Sequence, residues 1–88
     1  SEQQQPLDPQ TKHAVLKNLG WARLLQKNYP EAEAKLQEAI DLESTPKFDR
    51  EAIADTHCLM AQVMEAQGNK KDALPNWKIC NQNANITI

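Results

Sequence analysis

Apolar residues recur along this chain at gaps of three and four, the spacing that places side chains on one face of an α-helix. Ala14, Val15, Leu16, Leu19, Ala22, Leu24 and Leu25 form the first stripe. Asp8-Pro9 precedes it, an aspartate to cap free N–H groups and a proline suited to the first helical turn. This pattern predicts a helix from about Pro9 to Lys27. Asn28-Tyr29-Pro30 is the first break, with Asn28 placed to cap the next helix. Ala32, Leu36, Ala39 and Ile40 then form a second stripe, ending near Glu43. Glu31, Lys35 and Glu38 lie mainly off it, toward solvent.

Ser44-Thr45-Pro46 is the second break, since proline disfavours the α conformation in the residue before it. A third helix is expected from about Asp49 to Gln67, carrying Ile53, His57, Met60, Ala61 and Met64. Gly68 is placed to end it in the left-handed conformation, and Asn69 to cap a fourth. That fourth helix carries Ala73, Leu74, Trp77 and Cys80. Pro75 either kinks a helix that starts at Lys70 or marks where regular helix begins, near Leu74. The stripe running through it favours the kink. Residues 1–7 are glutamine-rich and polar, and read as a frayed tail; residues 85–88 form a second tail.

The chain repeats itself at an offset of 41 residues. Leu16 pairs with His57, Leu19 with Met60, Gly20 with Ala61, Asn28 with Asn69, Ala32 with Ala73, Leu36 with Trp77 and Ala39 with Cys80. A mid-helix glycine costs about 1 kcal/mol against alanine. Gly20 therefore points to a close crossing with another helix, and so does its small counterpart Ala61. The units are residues 8–43 and 44–84.

This pattern resembles the tetratricopeptide repeat (TPR) family. Its motif is a large apolar residue, Leu-Gly three residues on, an aromatic in the turn, and Ala, aromatic, Ala along the second helix. The first unit carries Leu16, Leu19-Gly20, Tyr29, Ala32, Leu36 and Ala39. The second carries His57, Met60-Ala61, Gly68, Ala73, Trp77 and Cys80. The resemblance implies an all-α fold: four antiparallel helices in two helix-turn-helix repeats, a piece of a right-handed solenoid. The family repeat is 34 residues long. The seven extra residues fall between Glu43 and Ala54 and are expected to lengthen the third helix at its start, over Pro46 to Glu51. Departures from the motif are Arg23 for an aromatic, Lys27 for the turn glycine, Lys70 for the turn aromatic, and Ser44 and Asn85 where closing prolines usually stand.

Such repeats bury their apolar faces by stacking, and about three are usual for stability. Two repeats with no closing element imply a piece of a longer protein, or self-association through the exposed side of the fourth helix. The resemblance places a concave groove on the first helix of each unit. Its residues here are Lys17, Trp21, Leu24, Leu25, Asp55, Cys58, Gln62 and Glu65. An aromatic and leucines beside two carboxylates suit a partner helix or extended peptide with apolar anchors and a basic residue. Lys17 matches a lysine with which some members grip a C-terminal carboxylate. Trp21 and Leu59 stand where that clamp needs asparagines, so it is not expected. Trp77 takes an interior position. The expected function is protein binding, with a structural module that oligomerises or spaces other domains as the alternative.

Charge and composition narrow the picture further. The 88 residues are 40% apolar and 25% charged, with a net charge of −2 and a pI of 5.6. No basic stripe marks a nucleic-acid surface, and no apolar run is long enough to span a membrane. Cys58 and Cys80 sit among apolar residues and read as reduced thiols of a cytoplasmic protein, with a disulfide between them as the lesser reading. Zinc needs four ligands, commonly in close pairs, whereas His13 lies 44 residues before His57. Adjacent helical residues point about 100° apart, so His57 and Cys58 do not share a site, and His57 reads as structural. Asp55 and Glu65 work against the lowered pKa that a reactive Cys58 needs. The Asn85-Ile86-Thr87 glycosylation triplet matters only with secretion, which nothing in the sequence supports. No catalytic, cofactor or metal site is expected.

Overall fold

The computed structural model describes residues 8–44 and 48–83. Four helices form there: α1 (Pro9–Leu25), α2 (Tyr29–Leu42), α3 (Arg50–Ala66) and α4 (Lys70–Asn83). Among the described residues there is no strand. Every boundary of α3 and α4 lies 41 residues after its counterpart in α1 and α2. The internal repeat is therefore a repeat of structure. The two terminal tails, the Asn85-Ile86-Thr87 triplet and Thr45-Pro46 lie outside the described residues.

Local chemistry accounts for the ends. Asp8 Oδ1 accepts from the Thr11 N–H at 2.7 Å, and Asp49 Oδ1 accepts from the Ala52 N–H at 2.8 Å. Each aspartate satisfies one of the donors that a helix start leaves free. Capping by Asp49 starts α3 at Arg50, so α3 has the 17 residues of α1. Of the expected extension over Pro46 to Glu51, Arg50 and Glu51 are helical, Phe48 and Asp49 are not, and residues 46 and 47 lie outside the described residues. Asn28 also departs from expectation. It occupies the N-cap of α2 but makes no capping bond; its amide donates to Glu31 Oε2 at 3.0 Å instead.

The turns after α1 and α3 close alike. The Asn28 N–H donates to the Arg23 carbonyl and the Asn69 N–H to the Met64 carbonyl, each at 2.8 Å. This bond needs a left-handed residue just before it. Gly68 supplies one at φ +81, and Lys27 is held at φ +62. Helix α4 runs through Pro75 without stopping, although Pro75 has no N–H for the carbonyl one turn earlier.

Helices α1 and α2 pack as one hairpin and α3 and α4 as another; α2 then stacks on α3, and α1 touches α3 along a narrow seam. Among the described residues α4 contacts only α3. The core between the hairpins is Ala32 and Leu36 of α2 against Met60 and Val63 of α3. Tyr29, Ile40, Leu24, Leu59 and Met64 close around it. Cys58 and Cys80 form a disulfide across α3 and α4, with Cα atoms 5.0 Å apart. This corrects the expectation of reduced thiols. The two residues face each other across the second hairpin, and a disulfide needs Cα atoms within about 7 Å. With both cysteines oxidised, they give no support to a cytoplasmic setting.

Candidate functional site

The seam between α1 and α3 opens on one side into a cleft. Helical spacing of three and four brings Lys17, Asn18 and Trp21 to its α1 wall. Asp55, Cys58, Leu59 and Gln62 form its α3 wall. They enclose an open depression of about 290 Å³. Trp21 is 52% exposed, a large apolar ring left in water at the mouth. Lys17 Nζ lies 3.5 Å from Asp55 Oδ2 and bridges the two walls. Both side chains are partly solvated, so this pair contributes well under about 1 kcal/mol. It also divides the cleft. Beyond it lies a second depression of about 320 Å³, which reaches His13 and Phe48 and carries Asp49 and Glu51 beside Asp55.

Five of the eight residues expected on the groove line the first depression: Lys17, Trp21, Asp55, Cys58 and Gln62. Cys58 is there as half of a disulfide and not as a thiol. Leu24 is turned inward and packs on the core between the hairpins. Leu25 is largely exposed and stands outside the lining. Glu65 is directed at α4, where its Oε2 accepts the indole N–H of Trp77 at 2.8 Å. That bond also accounts for Trp77, which is half-buried. Asn18 and Leu59 also line the depression; the sequence pattern held no sign of Asn18 and marked Leu59 only as standing where a carboxylate clamp needs an asparagine. Both sit within one helical turn of residues it selected, Asn18 between Lys17 and Trp21, Leu59 beside Cys58.

Behind the cleft lies a polar cluster that holds the walls in place. Glu43, the C-cap of α2, reaches α1 and α3 together. Its Oε2 is 2.7 Å from His13 Nε2, and its Oε1 is 3.1 Å from His57 Nε2. The Thr56 hydroxyl donates to the same Oε2 and also approaches the Ile53 carbonyl at 3.0 Å. The far nitrogen of His57, Nδ1, is 2.9 Å from Asn76 Oδ1 on α4. Phe48 leans on His13 with ring centroids 4.7 Å apart. One carboxylate thus ties all four helices, directly or through His57.

Burial is the largest influence on Glu43 and favours its neutral form. The hydrogen bonds from His57, Thr56 and His13 outweigh burial and hold the carboxyl below its ordinary value. Burial likewise works against a charged His57; hydrogen bonds to Glu43 and Asn76, with the attraction of the carboxylate, raise its pKa instead. Each buried polar atom in the cluster has a partner, and no buried side-chain nitrogen or oxygen among the described residues lacks one. The rings and the carboxylate already meet at hydrogen-bond distance. Among the described residues no group of three or more His, Cys, Asp or Glu side chains is placed to hold a metal ion. Thr56, the hydroxyl in the cluster, is fully buried and out of reach of a substrate.

No family model, curated protein or solved structure matches this chain. Among the described residues no helix is long and apolar enough to cross a membrane.

Proposed function

We propose that the cleft between α1 and α3 binds a segment of a partner protein, and that the two hairpins are TPR-type repeats presenting it. The observation that carries this reading is Trp21, a large ring 52% exposed on the wall of an open depression. Exposing an indole forgoes much of the stabilisation its burial would bring, and buried aromatic anchors dominate many binding surfaces. The recurrence of every helix boundary at 41 residues supports the repeat assignment, as does the close approach of Gly20 to α2.

The chemistry of the cleft selects the partner. Leu59 and Trp21 offer apolar contact, and Asp49, Glu51 and Asp55 make the adjoining depression acidic with Lys17 as its counter-charge. A helix or extended peptide with one or two large apolar side chains and a nearby Lys or Arg fits both parts. The test is fluorescence of Trp21 in a Trp77→Phe background, titrated with a panel of such peptides and their Lys→Glu versions. A blue shift with the basic peptides, lost with the acidic ones and with binding weakened at least tenfold by Trp21→Ala, is the expected result. Equal binding by the Trp21→Ala protein, followed by calorimetry, rules the cleft out.

A further inference from the structure

The repeat gives the exposed stripe of α1 a buried counterpart on α3, and the outer side of α4 a counterpart on α2 that meets α3. On α3, the face formed by Thr56, Met60 and Val63 is covered by α2. Thr56 is 0% and Met60 1% exposed, and Met60 and Val63 pack on Ala32 and Leu36. The residues in the same register of α1 are Val15, Leu19 and Ala22. They form an equally apolar stripe, yet Val15 is 43% and Leu19 37% exposed. At the other end, α2 uses one side to meet α3; Glu33 there accepts from the Gln67 amide at 2.9 Å. Its counterpart on α4 is Leu74, which is 66% exposed. The counterpart of Leu36 is Trp77, which is half-buried.

We infer that the molecule associates head to tail, the Leu74–Trp77 side of α4 in one copy covering the Val15–Leu19–Ala22 stripe of α1 in the next. The occupant is named by the internal interface itself. The stacking of α2 on α3, repeated once more in the same direction, sets α4 of one copy on α1 of another. Both halves of that contact are on this chain, in one register. Such a contact is heterologous, so it leaves a free head and a free tail and does not close at a dimer. It is weaker than the internal one, because Lys70 and Asn81 stand in α4 where α2 has Tyr29 and Ile40. This inference goes beyond the cleft reading: none of its residues lines the cleft.

The experiment is sedimentation equilibrium of the 88-residue chain across a concentration series, from about 10 µM to about 1 mM. The average mass is expected to climb with concentration past that of a dimer. Leu19→Glu blocks the head and Leu74→Glu blocks the tail, so each variant alone is expected to stay monomeric. Mixed in equal amounts, they retain one good head and one good tail between them and are expected to form a 1:1 dimer and nothing larger. Recovery on mixing also shows that both variants are folded. A parent chain that stays monomeric throughout overturns the inference. So does association that Leu19→Glu abolishes and Leu74→Glu leaves intact, the mark of two α1 faces pairing with each other. A mixture that fails to associate while both variants keep their helical circular dichroism overturns it as well.

Discussion

Gly20 meets Leu36 so closely that a Cβ on the glycine would lie 2.6 Å from Leu36 Cγ and 2.8 Å from Cδ2. Leu36 is fully buried and is also held from the far side by Met60 and Val63. The contact therefore sets the crossing of α1 and α2 and, through Leu36, the stacking of the second hairpin on the first. Gly20→Ala improves helix propensity by about 1 kcal/mol but forces a branched, enclosed side chain to move, at about 1–3 kcal/mol. The net expectation is a loss of up to about 2 kcal/mol, or up to about 15 °C in Tm for a domain of this size. Thermal unfolding of Gly20→Ala checks it. Leu36→Ala is expected to remove most of the further penalty when the two are combined, because it deletes the atoms in conflict.

The two inter-helix turns differ at one residue. Lys27 carries φ +62 where Gly68 carries φ +81, and a left-handed conformation costs a residue with a Cβ about 1 kcal/mol or more. Lys27→Gly relieves that strain, offset in part by the added freedom of the unfolded chain. A small gain of about 0.5–1 kcal/mol in urea unfolding is expected. Gly68→Ala is expected to lose at least as much, although nothing lies within 4 Å of the added carbon. A Gly68→Ala protein as stable as the parent would refute this account of the turns.

Much of the scaffold was legible because its signals are local. Asp8-Pro9 marks a start, Gly68 marks a stop, and the small residues at 20 and 61 mark close packing; each acts within a turn or two of its own position. The role of Glu43 was not legible in this way. Its partners His13, Thr56 and His57 stand 30, 13 and 14 residues away, on helices whose packing alone brings them together. The state of the two cysteines was undecidable for the same reason. Cys58 and Cys80 lie 22 residues apart on two helices, and apolar neighbours suit a buried thiol and a buried disulfide equally. Leu24 and Leu25 show a third limit. One packs inward and the other stands in solvent, and adjacent positions at the edge of a stripe do not declare which is which.

The Glu43 cluster makes stability depend on pH in a defined direction. Glu43 is held below its ordinary value of 4.5, so its contribution is present above that pH and is lost as acid protonates it. His57 is raised above its ordinary value of 6.5, so its contribution is full below 6.5 and is lost as pH rises through the raised value. The two together place the most stable range between about 4.5 and 6.5. Urea unfolding at a series of pH values is expected to show a decline on the alkaline side that His57→Gln flattens. A decline of undiminished slope in His57→Gln assigns it elsewhere. Glu43→Ala strips both histidines and Thr56 of their shared acceptor, and is expected to cost about 3–5 kcal/mol.

Helix α4 depends on α3 alone among the described elements, and two kinds of link fasten it there. The Cys58–Cys80 disulfide lies within the second hairpin. The hydrogen bonds are Arg50 to the Gln82 carbonyl at 2.7 Å, Trp77 to Glu65, and His57 to Asn76. Closing a loop of this size by a disulfide stabilises the folded state by about 3 kcal/mol. Reduction, or the pair Cys58→Ser and Cys80→Ser, is expected to lower stability by about that amount. The loss is also expected to be uneven. The hairpin of α1 and α2 keeps its own contacts, including Gly20 against Leu36, whereas α4 keeps only one neighbour. Hydrogen exchange after reduction is therefore expected to rise most at the amides of residues 70–83, less in α3, and least in α1 and α2. A uniform rise across all four helices would mean that the two hairpins unfold as one unit and that the disulfide stabilises the whole array.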